Sequence, residues 1–231
     1  MPNNELLIRW MQLGLFNSHS RIHGLGRREI YKFSSDIVGI CKNYIQQRYQ
    51  LIPYIYGSAI ECVEKSLPMS RALVIEYQND PTVWNIGDEY LFGNSILVAP
   101  ITDESNTRMI YLPEGIWTDW WTNERINGKQ WISIKADIET LPLYIREGGI
   151  VPIGPVMNYI DEFEIKEITL KISLFEKEGK STFTVPVNNE TVLVEYLAKN
   201  GKHEVKIAKT SVSFKIDALG EEKSKIKVIR G

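Results

Sequence analysis

Near residue 66 the spacing of apolar side chains changes. Before it they recur every three to four positions; after it they alternate every second position or cluster in short runs. That switch limits the chain to a helical leader followed by β structure, because one period cannot serve the other geometry. In the leader, Asn4 is read as the cap of a short helix carrying Leu6, Leu7, Trp10 and Met11, and Gly14 as its stop. Asn17 to Gly24 is too polar and interrupted for a buried helix. Ser34 or Ser35 then caps a longer helix with Asp36 in its first turn, where the helix dipole favours an anion. Pro53 is expected to kink or split this helix near residue 50, since proline lacks the donor that a helix interior needs.

Beyond residue 66, expected strands are Ala72 to Tyr77, Ser95 to Ala99, Met109 to Leu112, Ile116 to Trp121, Trp131 to Ile134, Leu143 to Ile145 and one starting at Ile150. Turn signals separate them: Asp80-Pro81, Pro113-Glu114-Gly115, Asn127-Gly128 and Gly148-Gly149. Ile168 to Phe175 and Val192 to Leu197 alternate, and Asn200-Gly201 marks a hairpin. Such spacing of short strands belongs to sandwiches or small barrels. The leader cannot bury its own apolar faces, so Leu6, Trp10, Tyr44, Tyr49 and Tyr56 need a partner surface, for which the β region is one candidate.

A net charge of −2 with mixed signs argues against nucleic acid or a polybasic membrane contact; the most basic run, Arg27-Arg28, is followed at once by Glu29. No apolar run approaches the roughly 18 residues of a membrane span. Met-Pro-Asn-Asn-Glu lacks a charged and then apolar leader, so the expected compartment is the cytoplasm. Cys41 and Cys62 are too few for a disulfide scaffold or a structural zinc site, and read as two buried, reduced thiols.

Chemistry-bearing candidates are few. His19 and His23 bracket Arg21; without a third ligand at metal spacing, they suit hydrogen bonding to a polar ligand or ordinary surface polarity better than a metal. His203, just past a hairpin turn, is expected to be exposed. Asp80, Asp88, Glu89, Asp103 and Glu104 sit among turn residues and read as turn or cap chemistry. Glu76 is expected at the end of a strand. Trp117, Trp120 and Trp121 read as core at strand periodicity, with a sugar-stacking platform as the alternative. Gly148-Gly149 lacks the signals of a phosphate loop, and Tyr56-Gly57-Ser58-Ala59 is a poor match to a nucleophile elbow.

Several collinear runs nevertheless resemble one family. Glu5 to Asn17 followed by Arg21-Ile22-His23, then Arg48 to Tyr56, Pro68 to Leu73 and Asp80-Pro81 resemble the late catalytic segment of family 31 glycoside hydrolases, the α-glucosidases and α-xylosidases. Tyr90 to Pro100 is the most characteristic run, and Tyr111 to Trp121 with Tyr144 to Pro152 complete a match over residues 5 to 153. Residues 156 to 231 resemble the family's distal β domain in position and texture.

The resemblance implies a mainly β chain with a helical N-terminal leader: the last portion of a (β/α)8 barrel, then proximal and distal β-sandwich domains. The implied divisions are 1–66, 67–155 and 156–231. Phe16 to His23 would form the last barrel strand and its loop, at the strand ends where such barrels keep their active sites. His23 matches the family's sugar-contacting histidine, and Arg21 belongs to the same motif in a supporting role. No cofactor is implied.

A whole barrel takes about 250 residues, far more than the leader supplies. Retaining enzymes of this kind use two carboxylates, a nucleophile and an acid/base. The family's Trp-x-Asp-Met-x-Glu nucleophile motif is absent from the sequence, and Gly87-Asp88 falls in the β region rather than in a barrel context. No residue carries over as nucleophile or acid/base. The expectation is hydrolysis of an α-glucoside or α-xyloside only when an upstream barrel-containing chain supplies both aspartates. The alternative is a non-catalytic remnant or a carbohydrate-binding or interaction module.

Overall fold

The computed structural model describes residues 2–26, 28–220 and 226–231, which leaves Arg27 of the basic pair outside the described residues. Helix α1 (Asn4–Leu15) is capped by Asn3 rather than Asn4: the Asn3 side chain accepts from the Leu6 N–H at 2.7 Å. A short 3₁₀ turn (Ile30–Lys32) precedes α2 (Ser35–Gln50), with Ser34 at its cap position, and α3 (Ile52–Lys65) follows. Pro53 splits α2 from α3 as its missing donor requires. The Gln50 carbonyl beside that break accepts from Gly154 N–H at 2.7 Å, so the break is also a docking point.

Two sequence expectations are corrected here. Ala72 to Tyr77 is not one strand: β1 (Ser70–Ala72) gives way to a one-turn helix, α4 (Leu73–Glu76). Tyr77 N–H bonds to Leu73 O at 2.9 Å, and Arg71 pairs with Glu76 at 2.6 Å, so local bonds close the turn. Phe16 to His23 contains no strand among the described residues: no strand pairs with it in a backbone ladder, and β1 reaches it through a side chain, Ser70 to Asn17.

The remaining strands are β2 (Tyr90–Phe92), β3 (Ile96–Val98), β4 (Thr107–Leu112), β5 (Ile116–Asp119), β6 (Arg125–Asn127), β7 (Gln130–Lys135), β8 (Leu143–Arg146), β9 (Ile150–Ile153), β10 (Glu167–Ser173), β11 (Gly179–Val187), β12 (Glu190–Lys199), β13 (Lys202–Ile207), β14 (Ser213–Leu219) and β15 (Ile226–Arg230). One antiparallel sheet runs β1-β2-β3-β8-β5-β6, and a ribbon pairs β4 with β7. A second sheet runs β14-β10-β9 and a third β11-β12-β13-β15, with the β10–β14 and β13–β15 pairs parallel.

Period two explains the layers. Leu91, Leu97, Trp117 and Tyr144 face the β4–β7 ribbon, where Ile110 and Leu112 complete a small core. The alternate residues Phe92, Ile96, Val98, Leu143 and Ile145 face a larger core shared with the helices and the second and third sheets. Because β3 is covered on both faces, its three residues read as an apolar run instead of an alternation. The β12–β13 hairpin turns at Asn200 and Gly201, with φ of 51° and 67°, the positive pair that a type I′ turn requires.

The helices do find a surface. Arg9, buried in α1, donates to Thr140 O at 2.9 Å, Ala136 O at 3.1 Å, Asn106 Oδ1 at 2.8 Å and Gln12 Oε1 at 3.1 Å. Gln12 donates to Ile138 O at 2.8 Å. Tyr44 of α2 donates to Glu139 O and accepts from Leu141 N–H, both at 2.8 Å. Tyr54 of α3 donates to Phe92 O at 2.6 Å and accepts from Ser95 N–H at 3.2 Å. Burial pushes the Tyr44 and Tyr54 hydroxyls up to about 12, so both stay protonated and able to donate. The other faces stay open: Trp10 is 70% exposed and Tyr56 61%.

Candidate functional site

The residues that the sequence singles out, Arg21 and His23, lie on the segment that leaves the C-terminus of α1. That exit is fixed from below. Arg48 of α2 donates to the Leu15 carbonyl at 2.9 Å, to Ser18 O at 2.9 Å and also to Asn17 O. A cation there offsets the negative end of the helix dipole and satisfies carbonyls that have no partner within α1. Its guanidinium also lies 5.9 Å from the centre of the Phe92 ring, which joins the loop to the β core. Burial lowers the Arg48 pKa from its ordinary value, but so high a starting point leaves the group charged. Asn17 Oδ1 accepts from Ser18 N–H at 2.7 Å and from Ser70 Oγ at 2.6 Å, so β1 holds the same exit.

From His19 to Gly26 the loop is exposed, and it forms one wall of an open cleft of about 1190 Å³. Arg21 and His23 line this wall together; neither makes a hydrogen bond or ion pair with another described residue. His19 lines it too, its Nδ1 3.2 Å from Ser18 Oγ. Opposite are Leu6 and Trp10 of α1, Tyr49 of α2 and Ile52 of α3. The described lining contains no Asp or Glu. An imidazole, guanidinium groups and an indole suit the hydroxyls and C–H faces of a sugar. The described wall lacks the carboxylate pair that cleavage of a glycosidic bond requires.

The other candidates fall elsewhere. Trp117 is fully buried, its Nε1 donating to Pro113 O at 2.8 Å, and Trp120 is 9% exposed with the Lys171 ammonium 4.9 Å from its ring centre. Trp121 donates to Leu141 O at 2.7 Å and packs edge-on against Tyr44. The three rings therefore serve the core and the helix contact, and no stacking platform forms from them. His203 is buried rather than exposed: β13 turns it inward, where its Nδ1 lies 2.8 Å from the Tyr196 hydroxyl. Cys41 is buried but Cys62 is half-buried, 3.8 Å from an Arg71 nitrogen, and both thiols are free.

Among the carboxylates, Asp80 and Asp103 do cap turns. Glu76 pairs with Arg71 instead of ending a strand. Glu89 departs from its turn reading: it is 2% exposed, accepts from Tyr111 N–H at 3.0 Å, and burial raises its pKa to about 7. Arg9 and Arg48 were not legible as anchors, because their partners are backbone carbonyls, in Arg9's case about 130 positions away. The one available signal was an arginine and a glutamine, Arg9 and Gln12, among the apolar residues on the buried face of α1.

Residues 1–58 match the TIM-barrel domain of glycosyl hydrolases family 31, and residues 66–151 match the C-terminal domain of the same family. Alpha-glucosidase 2 of Bacillus thermoamyloliquefaciens is 42% identical over 158 residues, 67% of this chain and 20% of that protein. The alpha-xylosidase of Saccharolobus solfataricus is 32% identical over 163 residues, 69% of this chain and 22% of that protein.

Among solved structures, the family 31 dextranase of Flavobacterium johnsoniae superposes with a TM-score of 0.82 at 30% identity, over 95% of this chain and 30% of that one. The family 31 alpha-xylosidase of Xanthomonas citri gives 0.79 at 29% identity, over 99% of this chain and 26% of that one. The chain belongs to glycosyl hydrolase family 31, and carries part of its barrel domain together with its C-terminal domain. It spans about a fifth of the length of the curated relatives it matches.

Proposed function

We propose that this chain is the C-terminal working part of a retaining α-glucosidase- or α-xylosidase-like glycoside hydrolase. An upstream barrel segment, in a separate chain in the split form, supplies the two catalytic aspartates. The observation that carries this reading is the cleft: a loop with Arg21 and His23, anchored by Arg48, facing open helix surfaces and lined by no described carboxylate. In this reading His23 hydrogen-bonds hydroxyls of the sugar held for cleavage, and Arg21 supports it or the same ring. Residues 1–66 act as the barrel end, 67–155 as the proximal and 156–231 as the distal β domain. No cofactor enters, since the retaining mechanism needs two carboxylates and water. Two free thiols suit a reducing cytoplasm.

The test is co-expression with the upstream barrel-encoding frame, followed by assays on aryl α-glucoside and aryl α-xyloside. Activity is expected from the assembled pair alone, and His23→Ala should lower kcat/KM by roughly 100-fold while the two parts still co-purify. Hydrolysis by this chain alone, or full activity in the His23→Ala pair, would refute the reading.

A further inference from the structure

A second cavity lies among the β strands. It holds about 320 Å³, between the turn after β8, the start of β5 and the first half of β11. It shares no lining residue with the cleft at His23. Junctions between packed units are where small-molecule sites concentrate, and about 300 Å³ is the lower end of their size range.

The wall has a definite chemistry. Arg146, at the end of β8, and Tyr77 both line it. Glu147 follows Arg146, its two oxygens 3.3 Å from the N–H groups of Ile116 and Glu176. Glu114 and Lys180 also line the cavity, but Lys180 is paired with Glu195 of the neighbouring strand at 3.1 Å, which leaves Arg146 among two carboxylates, Glu114 and Glu147. Ser181 shares the inward face of β11 with Phe183, and its Oγ is shielded from solvent with no hydrogen-bond partner among the described residues. A buried hydroxyl without a partner costs free energy that a ligand can recover. Tyr77 and Phe175 add aromatic surface.

We infer that this cavity binds one neutral pyranose, at a site separate from the cleft. The two carboxylates, Glu114 and Glu147, disfavour an anion, which they would repel. The density of donors and acceptors disfavours an apolar ligand, which would leave them unpaired. A single ring with hydroxyls at its edge and C–H groups on its faces meets the polar groups and the aromatic surface together. The inference rests on the cavity's own chemistry and not on hydrolytic activity.

The test is a titration of the full chain with D-glucose and with D-xylose, read by saturation-transfer NMR, with acyclic D-glucitol and sodium sulfate as comparators. Saturable binding of a pyranose is expected with Kd of about 1–10 mM, and weaker binding of glucitol and sulfate. Ser181→Leu, which fills the cavity, should remove it. Arg146→Met, which keeps the stem and drops the donors, should weaken it about tenfold. Circular dichroism and thermal melting identify a variant that has failed to fold, in which case Ser181→Ala replaces Ser181→Leu with the same direction expected. The inference is overturned if neither sugar binds saturably, if sulfate binds more tightly, or if His23→Ala removes binding that the folded cavity variants retain.

Discussion

Replacing Gly57 with alanine sets two effects of opposite sign against each other. Gly57 sits inside α3, where intrinsic propensity alone favours alanine by about 1 kcal/mol. Its Cα faces β11, however: a Cβ built there lies 2.2 Å from the Thr184 carbonyl oxygen and 2.6 Å from the Phe183 ring. Real Cβ contacts essentially never fall below 3.0 Å, so α3 and β11 must separate by about 1 Å. A gap of that size forfeits a quarter to a half of each dispersion contact along the interface, including the stack of Tyr54 on Phe183. Overpacking of this kind costs typically 1–3 kcal/mol, occasionally more, and the contact here is against backbone. Net of the propensity gain, the expectation is destabilisation by up to about 2 kcal/mol.

Gly39 is the control. It lies inside α2 with nothing within 4 Å of its Cβ position, so Gly39→Ala should stabilise by about 0.5–1 kcal/mol. In urea, with slopes near 3 kcal/mol/M, Gly57→Ala should lower the midpoint by up to about 0.7 M and Gly39→Ala should raise it by about 0.2–0.3 M. Stabilisation by both, at unchanged slope, would mean that α3 does not rest on β11, and the account of how the helices are held would fall.

Two further expectations concern buried polar groups. Tyr54→Phe removes the hydroxyl that serves both Phe92 O and Ser95 N–H, and should cost about 2–4 kcal/mol in urea unfolding; a loss below about 0.5 kcal/mol would show those groups to be satisfied otherwise. Glu89 has its folded pKa raised to about 7 against an ordinary 4.5, so its contribution is neutral below 4.5 and becomes unfavourable as pH rises to 7. The full difference is about 3 kcal/mol. Glu89→Gln should therefore match the parent near pH 4 and exceed its stability by up to about that amount at pH 8, and a gap that stays flat with pH would refute it.

Short-range features were legible wherever the cause is local. Pro53 broke the long helix at Leu51 because a missing donor acts on its own helix. Asn200-Gly201 turned the hairpin because a type I′ turn needs two positive φ values in a row. The Arg21 and His23 pair was legible as a motif, and the structure puts both on one wall. Glu89 and His203 were misread for one shared reason. A polar residue next to turn signals resembles a surface residue until the neighbouring strands are packed; Glu89 just before β2 and His203 in β13 both turn inward. The tryptophans were read as core more readily than as a platform, and burial bears out the first of these for Trp117 and Trp120.

By itself, the sequence determined the order of helical and β texture, the positions of most strands, the family, and the motif that bears His23. All of these follow from side-chain periodicity and from bonding within a few residues. Tertiary structure alone decided where the three helices rest, which arginines anchor them, and that two clefts of different chemistry form with no shared lining residue. Those outcomes depend on Arg9 meeting carbonyls near residue 136, Tyr54 meeting Ser95, and Gly57 meeting Thr184. Each pairs groups far apart in the chain, and no local pattern encodes a contact whose two halves meet only when the chain has folded.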